Sequence, residues 1–142
     1  MKSQRTTQGW VLRLDRGEEI VSTLTAWAEA KAVLGGYLFG IGSVGEAELG
    51  RFRRETSSYE RRTYTGDYEI LSLIGNLSLL DGKPFLHCHM IIAGPDFLPH
   101  GGHLFRGVVS VTCEVHVETS EISIIRESRP DLGFHPLAPA DD

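Results

Sequence analysis

Cysteine is nearly absent from this 142-residue chain: there are two, Cys88 and Cys113. They lie in separate apolar stretches with no C-x-x-C partner, which excludes a disulfide framework and a dithiol redox centre and predicts two buried, reduced thiols. Long apolar runs are missing too. None approaches the roughly 18 residues that span a bilayer, and the polar start Met1-Lys2-Ser3-Gln4-Arg5-Thr6-Thr7-Gln8 has no apolar segment of a secretory signal. The expectation is a soluble cytoplasmic protein with no membrane partner. Excess positive charge is also lacking: 14 basic against 19 acidic residues give a net charge of −5, so no global field draws the chain to a polyanion. The one basic cluster, Arg51, Arg53, Arg54, Arg61 and Arg62, is broken by Glu55 and Glu60 and reads as a solvated strand edge.

Signatures of a triad hydrolase are absent as well. No serine stands in a G-x-S-x-G elbow, and neither cysteine has a histidine beside it on its own face. Gly40-Ile41-Gly42-Ser43-Val44-Gly45 matches G-x-G-x-x-G, but no helix opens after it and no βαβ unit surrounds it. These glycines read as tight turns and close backbone packing.

What is present is one domain's worth of chain with 41% apolar residues, a globular composition. Gly9 to Leu14 reads as a strand. Ile20, Leu24, Trp27, Ala28 and Leu34 recur at helical spacing, and Gly35-Gly36 offers a left-handed cap, so the pattern predicts an amphipathic helix over about 18–34. Everything after Tyr37 looks like strand and turn: 37–39, 47–49, 58–60, 69–77, the stretch around His87, 108–118 and 122–125. Val109, Val111, Cys113, Val115 and Val117 alternate with Ser110, Thr112, Glu114, His116 and Glu118, a strand with one wet face. Asp81-Gly82 signals a hairpin that makes the strands around Leu77 and His87 antiparallel neighbours. Arg129 to Asp142 reads as an arm or a loose end.

Chemistry concentrates in Phe85-Leu86-His87-Cys88-His89-Met90 and Gly101-Gly102-His103. In an extended strand His87 and His89 face the same way with Cα atoms about 6.5 Å apart, and Cys88 faces the other. Gly101-Gly102 permits a close approach that brings His103 toward them. Three neutral imidazoles with an open fourth position make a zinc-type site for water, substrate or an anion. Strand histidines also serve as plain amphipathic filler, and spacing alone leaves both readings open. Glu69 and Glu114 are the carboxylates expected on strands near the histidines, with Arg54 as an oxyanion partner, although such residues are more often surface charges.

Taken in order, Gly40-Ile41-Gly42-Ser43, Glu69-Ile70-Leu71-Ser72-Leu73-Ile74-Gly75-Asn76, His87-Cys88-His89, Gly101-Gly102-His103-Leu104 and Thr112-Cys113-Glu114-Val115 resemble the plants and prokaryotes conserved (PPC) domain, which plants fuse to AT-hook segments. The resemblance runs over about 9–126, leaving 127–142 as a C-terminal arm. It implies an α+β fold with a curved, barrel-like, mostly antiparallel sheet and one main helix, assembled as a homotrimer. It also implies a metal site in bacterial members, usually zinc, carried onto His87, His89 and His103. The family's DNA-binding label rests on the AT-hook core of Arg-Gly-Arg-Pro type, which this chain lacks, so weak or absent DNA binding is expected of this domain. Plant PPC domains mostly lack the third histidine, so the metal expectation draws on the bacterial branch. A more distant likeness, through H-x-H and a later histidine, is to acetolactate decarboxylase. Two functions follow as expectations. One is a trimeric metal-binding module that meets protein partners or a small anion, and the other is a zinc-dependent lyase or hydrolase acting on a small carboxylate, with Glu69 or Glu114 moving a proton.

Overall fold

The fold was obtained as a computed structural model, which describes residues 1–140. Six antiparallel strands and one helix follow in the order β1 (Lys2–Arg5), β2 (Gly9–Asp15), α1 (Ile20–Ala30), β3 (Gly36–Arg53), β4 (Ser58–Leu80), β5 (Lys83–Ala93) and β6 (Pro99–Thr119). In space the strands run β1-β2-β6-β3-β4-β5, and β6 pairs again with β5, so the sheet curves round and is partly ring-like. The α+β expectation of one helix on a curved antiparallel sheet therefore describes the fold. Among the described residues no helix is long and apolar enough to cross a membrane.

The helix is shorter than its apolar pattern. Glu19 caps it, its carboxylate accepting from Val21 N (3.0 Å) and Ser22 N (2.7 Å), and also from Gly107 N of β6 at 3.1 Å. Burial works to raise the Glu19 pKa, and the bonds from Ser22, Gly107 and Val21 overcome it and leave the pKa lowered. Ile20, Leu24, Trp27 and Ala28 bury one stripe against the sheet. The helix ends at Lys31, and Ala32, not a glycine, takes the left-handed turn at φ 50° while Val33 N reaches back to Ala28 O at 2.9 Å. Gly35 and Gly36, expected as the cap, lie beyond it: Gly35 precedes β3 and Gly36 opens it, where a Cβ would lie 2.2 Å from the Glu118 carbonyl oxygen.

The sheet differs from the sequence pattern in five places. Segments 37–39 and 47–49 are one 18-residue strand, and 58–60 and 69–77 are one of 23. The 40–45 glycines sit inside β3 and form no turn. A Cβ would come 2.6 Å from Glu114 O at Gly40 and 2.3 Å from Thr112 O at Gly42, so close backbone packing is the purpose of these two, while Gly45 has room for a side chain. Between the pairs Gly42↔Cys113 and Val44↔Val109, Ser43 faces three residues of β6; this bulge turns Val111 outward to 73% exposure and breaks the expected valine face. β1 carries no apolar alternation to announce it and is held by pairing with β2.

Asp81 and Gly82 form the β4–β5 hairpin with φ values of 51° and 75°. The core is one cluster of Leu12, Leu14, Leu24, Leu73, Leu77, Met90, Ile92, Val109 and Val115 with their neighbours. Cys88 and Cys113 lie in it as free thiols, and burial pushes both up to about 12, so they stay protonated and inert. The segment after Thr119 is an arm rather than a loose end. Ile125 bridges Leu79, Arg126 bridges Leu137 and Arg129 bridges Phe134, folding the arm back on itself.

Candidate metal centre

Strand alternation sets the site. On β5, Cys88 and Met90 point into the core while His87 and His89 point to the other face. β6 brings the third imidazole, since His103 pairs directly with His89 across the β5–β6 seam and with Gly50 of β3 on its other side. Gly102 makes this possible: a Cβ there would stand 2.6 Å from the Gly50 carbonyl oxygen. One potential ligand nitrogen from each of His87, His89 and His103 lies within 4.8 Å of the others, and ring centroids are 5.0 to 5.6 Å apart.

The donor set suits a divalent transition metal. Burial, aided by Arg126 and His89, lowers the His87 pKa to about 4. Burial, then His87, His89, Arg61 and Arg126, does the same for His103. Both rings are thus neutral at physiological pH, the state that ligates. His103 Nδ1 is buried with no hydrogen-bond partner, an orphaned polar atom that a metal would satisfy. Tyr59 and Phe105 pack on the His103 ring at 5.1 and 4.6 Å.

Above His87 and His103 opens a cavity of about 520 Å³, which His89 does not line. Tyr59, Phe85 and Phe105 form part of its wall, and the arm supplies the remainder from Gly133 to Leu137. Arg126, 6% exposed, is set in that wall. It donates through Nε to Ser78 Oγ (2.8 Å), through Nη1 to the His135 carbonyl, and through Nη2 to Asn76 Oδ1 (2.6 Å) and His87 Nδ1 (3.2 Å). Burial lowers its pKa from the ordinary arginine value.

Of the six residues singled out from the sequence, the three histidines come together. The other three lie elsewhere. Glu69 is opposite Ala93 and Ser43, Glu114 is opposite Ile41 and Arg13, and the two share a separate cleft with Thr112 and Leu71. Arg54 is exposed in the β3–β4 turn. The cation of the site is Arg126, which sequence reasoning missed because its bonds to Ser78 and Asn76 span 48 and 50 residues. Asn76 did stand in the motif stretch 69–76, the one signal that could have drawn attention to it.

A long-stranded, curved antiparallel sheet with one capped helix is the fold of a class of known proteins. The profile of the Plants and Prokaryotes Conserved domain, abbreviated PCC or PPC, matches residues 1–121, and the chain belongs to that family. A "putative DNA-binding protein" from Bacteroides thetaiotaomicron superposes with a TM-score of 0.93 at 29% identity, 96% of each chain being covered. A metal-containing protein from Archaeoglobus fulgidus is 31% identical over 91% of each chain, with a TM-score of 0.82. Acetolactate decarboxylase from Bacillus subtilis shares the fold alone, with a TM-score of 0.62 at 14% identity over 84% of this chain and 56% of that one. No curated protein matches the chain.

Proposed function

We propose that this chain is a divalent-metal protein, of zinc type, in which His87, His89 and His103 supply three neutral nitrogen ligands and the cavity above them admits a small molecule to the remaining position. The observation that carries the reading is the convergence of the three imidazoles, two of which, His87 and His103, line that cavity. Structural zinc is closed off by four protein ligands, whereas a three-ligand set with room beside it is the arrangement of sites that bind exogenous molecules. When bound, such an ion supplies Lewis acidity toward a ligand oxygen. The 31% identical relative described as metal-containing supports the same reading.

Neither Glu69 nor Glu114 lines the cavity, so the lyase or hydrolase alternative would draw its proton transfer from Tyr59 or His135. A metal-centred binding module is the reading we adopt. With a net charge of −5 and Arg51 and Arg61 engaged by Glu60 and Glu48, the chain has little electrostatic means to hold DNA on its own.

The trimer belongs to this proposal. Phe39, Ile41, Leu71 and Ile74 are 54–60% exposed and line one shallow cleft on β3 and β4. A contiguous apolar sheet face of this kind marks a protein interface. The test of the metal reading is elemental analysis of the purified chain. Close to one divalent ion per chain is expected, and a His87→Ala, His89→Ala variant that kept its full metal content would refute it.

A further inference from the structure

The cavity has one cation in its wall and no acid. Arg126 is almost wholly buried, and all its partners are neutral: a hydroxyl, a carbonyl, an amide oxygen and an imidazole. Among the described residues no carboxylate pairs with it; the ion pairs of the neighbouring arm join Arg129 to Glu127 and Asp131. A buried charge held without a counter-charge is costly, and a site of that kind is completed when a ligand brings the opposite sign.

The hydrogen-bond inventory sharpens this. A guanidinium has five N–H donors, and the four contacts leave one free on Nη1. Arginine only donates, so His87 Nδ1 meets it with a lone pair and carries its proton on Nε2. A neutral imidazole that ligates a metal gives its lone pair to the ion and keeps its proton on the other nitrogen, so nothing remains to accept from Arg126. Metal loading therefore releases a donor on Nη2 beside the free one on Nη1. A donor on each terminal nitrogen of one guanidinium is what the two oxygens of a carboxylate can accept.

We infer that the cavity is a receptor for a small monocarboxylate with an apolar, ring-sized body, its carboxylate on Arg126 beside the three-histidine centre and its body against Tyr59, Phe105, Phe134 and Leu137. The volume suits such a molecule. A phosphate dianion fits less well, because Arg126 is the one lysine or arginine in the lining and the rest of the wall is largely aromatic and aliphatic. The inference rests on the metal reading for the second donor, while the buried cation stands without it.

The test is calorimetric titration of the zinc-loaded chain with benzoate, benzamide and inorganic phosphate, with metal content measured on the same sample. Benzoate is expected to bind at least tenfold more tightly than either. Arg126→Gln should weaken benzoate by about ten- to a hundredfold, the worth of a hydrogen bond to a charged group, with metal content unchanged. Because Arg126 also braces the arm, Phe134→Ala serves as a second variant that leaves every polar group in place; it should weaken benzoate but not acetate. Equal binding of benzamide and benzoate, a preference for phosphate, undiminished binding by Arg126→Gln, or no benzoate binding by metal-loaded protein would each overturn the inference. If the chain takes up no metal yet binds benzoate through Arg126, the metal reading fails and the carboxylate site stands.

Discussion

Gly102→Ala is a one-methyl perturbation whose effect can be worked from the packing. The added Cβ would lie 2.6 Å from the carbonyl oxygen of Gly50 and 3.2 Å from its nitrogen. Both are backbone atoms with no rotamer to yield, so β6 and β3 must part by about 0.4 Å to reach the 3.0 Å below which such contacts are essentially not found. Position 102 has no left-handed backbone, so the effect is steric alone. Overpacking of this order costs about 1–3 kcal/mol, which for a chain of this size lowers Tm by roughly 4–12 °C. The displacement falls on the next residue, His103, and metal sites tolerate about 0.2 Å in ligand distance, so metal retention should fall with stability. Gly45→Ala is the matched control, since its Cβ meets only Ser110 Cβ at an ordinary 3.6 Å, and it should melt within about 2 °C of the parent. Calorimetric melting and elemental analysis of both variants check this. A Gly102→Ala protein that melts with the parent and keeps its metal would show that the strands are not in the tight contact on which the site depends.

Other outcomes follow from the same structure. With the His87 and His103 pKa values lowered to about 4, the unfolded chain binds more protons than the folded one between about pH 6.5 and 4. Stability of the metal-free protein should thus be full above pH 6.5 and decline as pH falls toward 4; denaturant midpoints that stay level from pH 7.5 to 4.5 would contradict it. Glu19→Ala removes the acceptor shared by Val21, Ser22 and Gly107, with an expected loss of about 1–2 kcal/mol by urea unfolding, and a loss near zero would show the cap to be idle. If the proposed trimer forms through the Phe39 and Ile74 face, Phe39→Asp with Ile74→Asp should reduce it to single 15.7 kDa chains in light scattering, whereas a trimer mass unchanged by the two substitutions would place the interface elsewhere.

Local pattern carries the parts of this protein that depend on local geometry. His87 and His89 alternate against Cys88 and Met90, and that period of two is legible in the order of the residues alone. The helix stripe and the Asp81-Gly82 turn are readable for the same reason. What the pattern does not hold is register between distant strands. Val111 looks like a core valine until the bulge opposite Ser43 turns it out. Glu69 and Glu114 sit on strands of the right sheet but on a stretch whose pairing carries them to a separate cleft. Arg126 stands in a polar tail with no periodicity, and only the bridge of Ile125 to Leu79 and the fold of the arm bring it to His87.

The β5–β6 seam closes the sheet with five residue pairs, from His89↔His103 to Ala93↔Pro99. It is formed by segments on either side of the exposed Phe97 loop, and it is short beside the β3–β4 ladder. Two of the histidines stand on one lip of this seam and the third on the other. An ion bound by all three would act as a clasp, so its escape and the parting of the strands become one event with one rate. Stripping the ion should then speed amide exchange at positions 89–92 and 100–103 while leaving the β3–β4 ladder at its own pace, making the lifetime of the bound ion a clock for how often the ring opens.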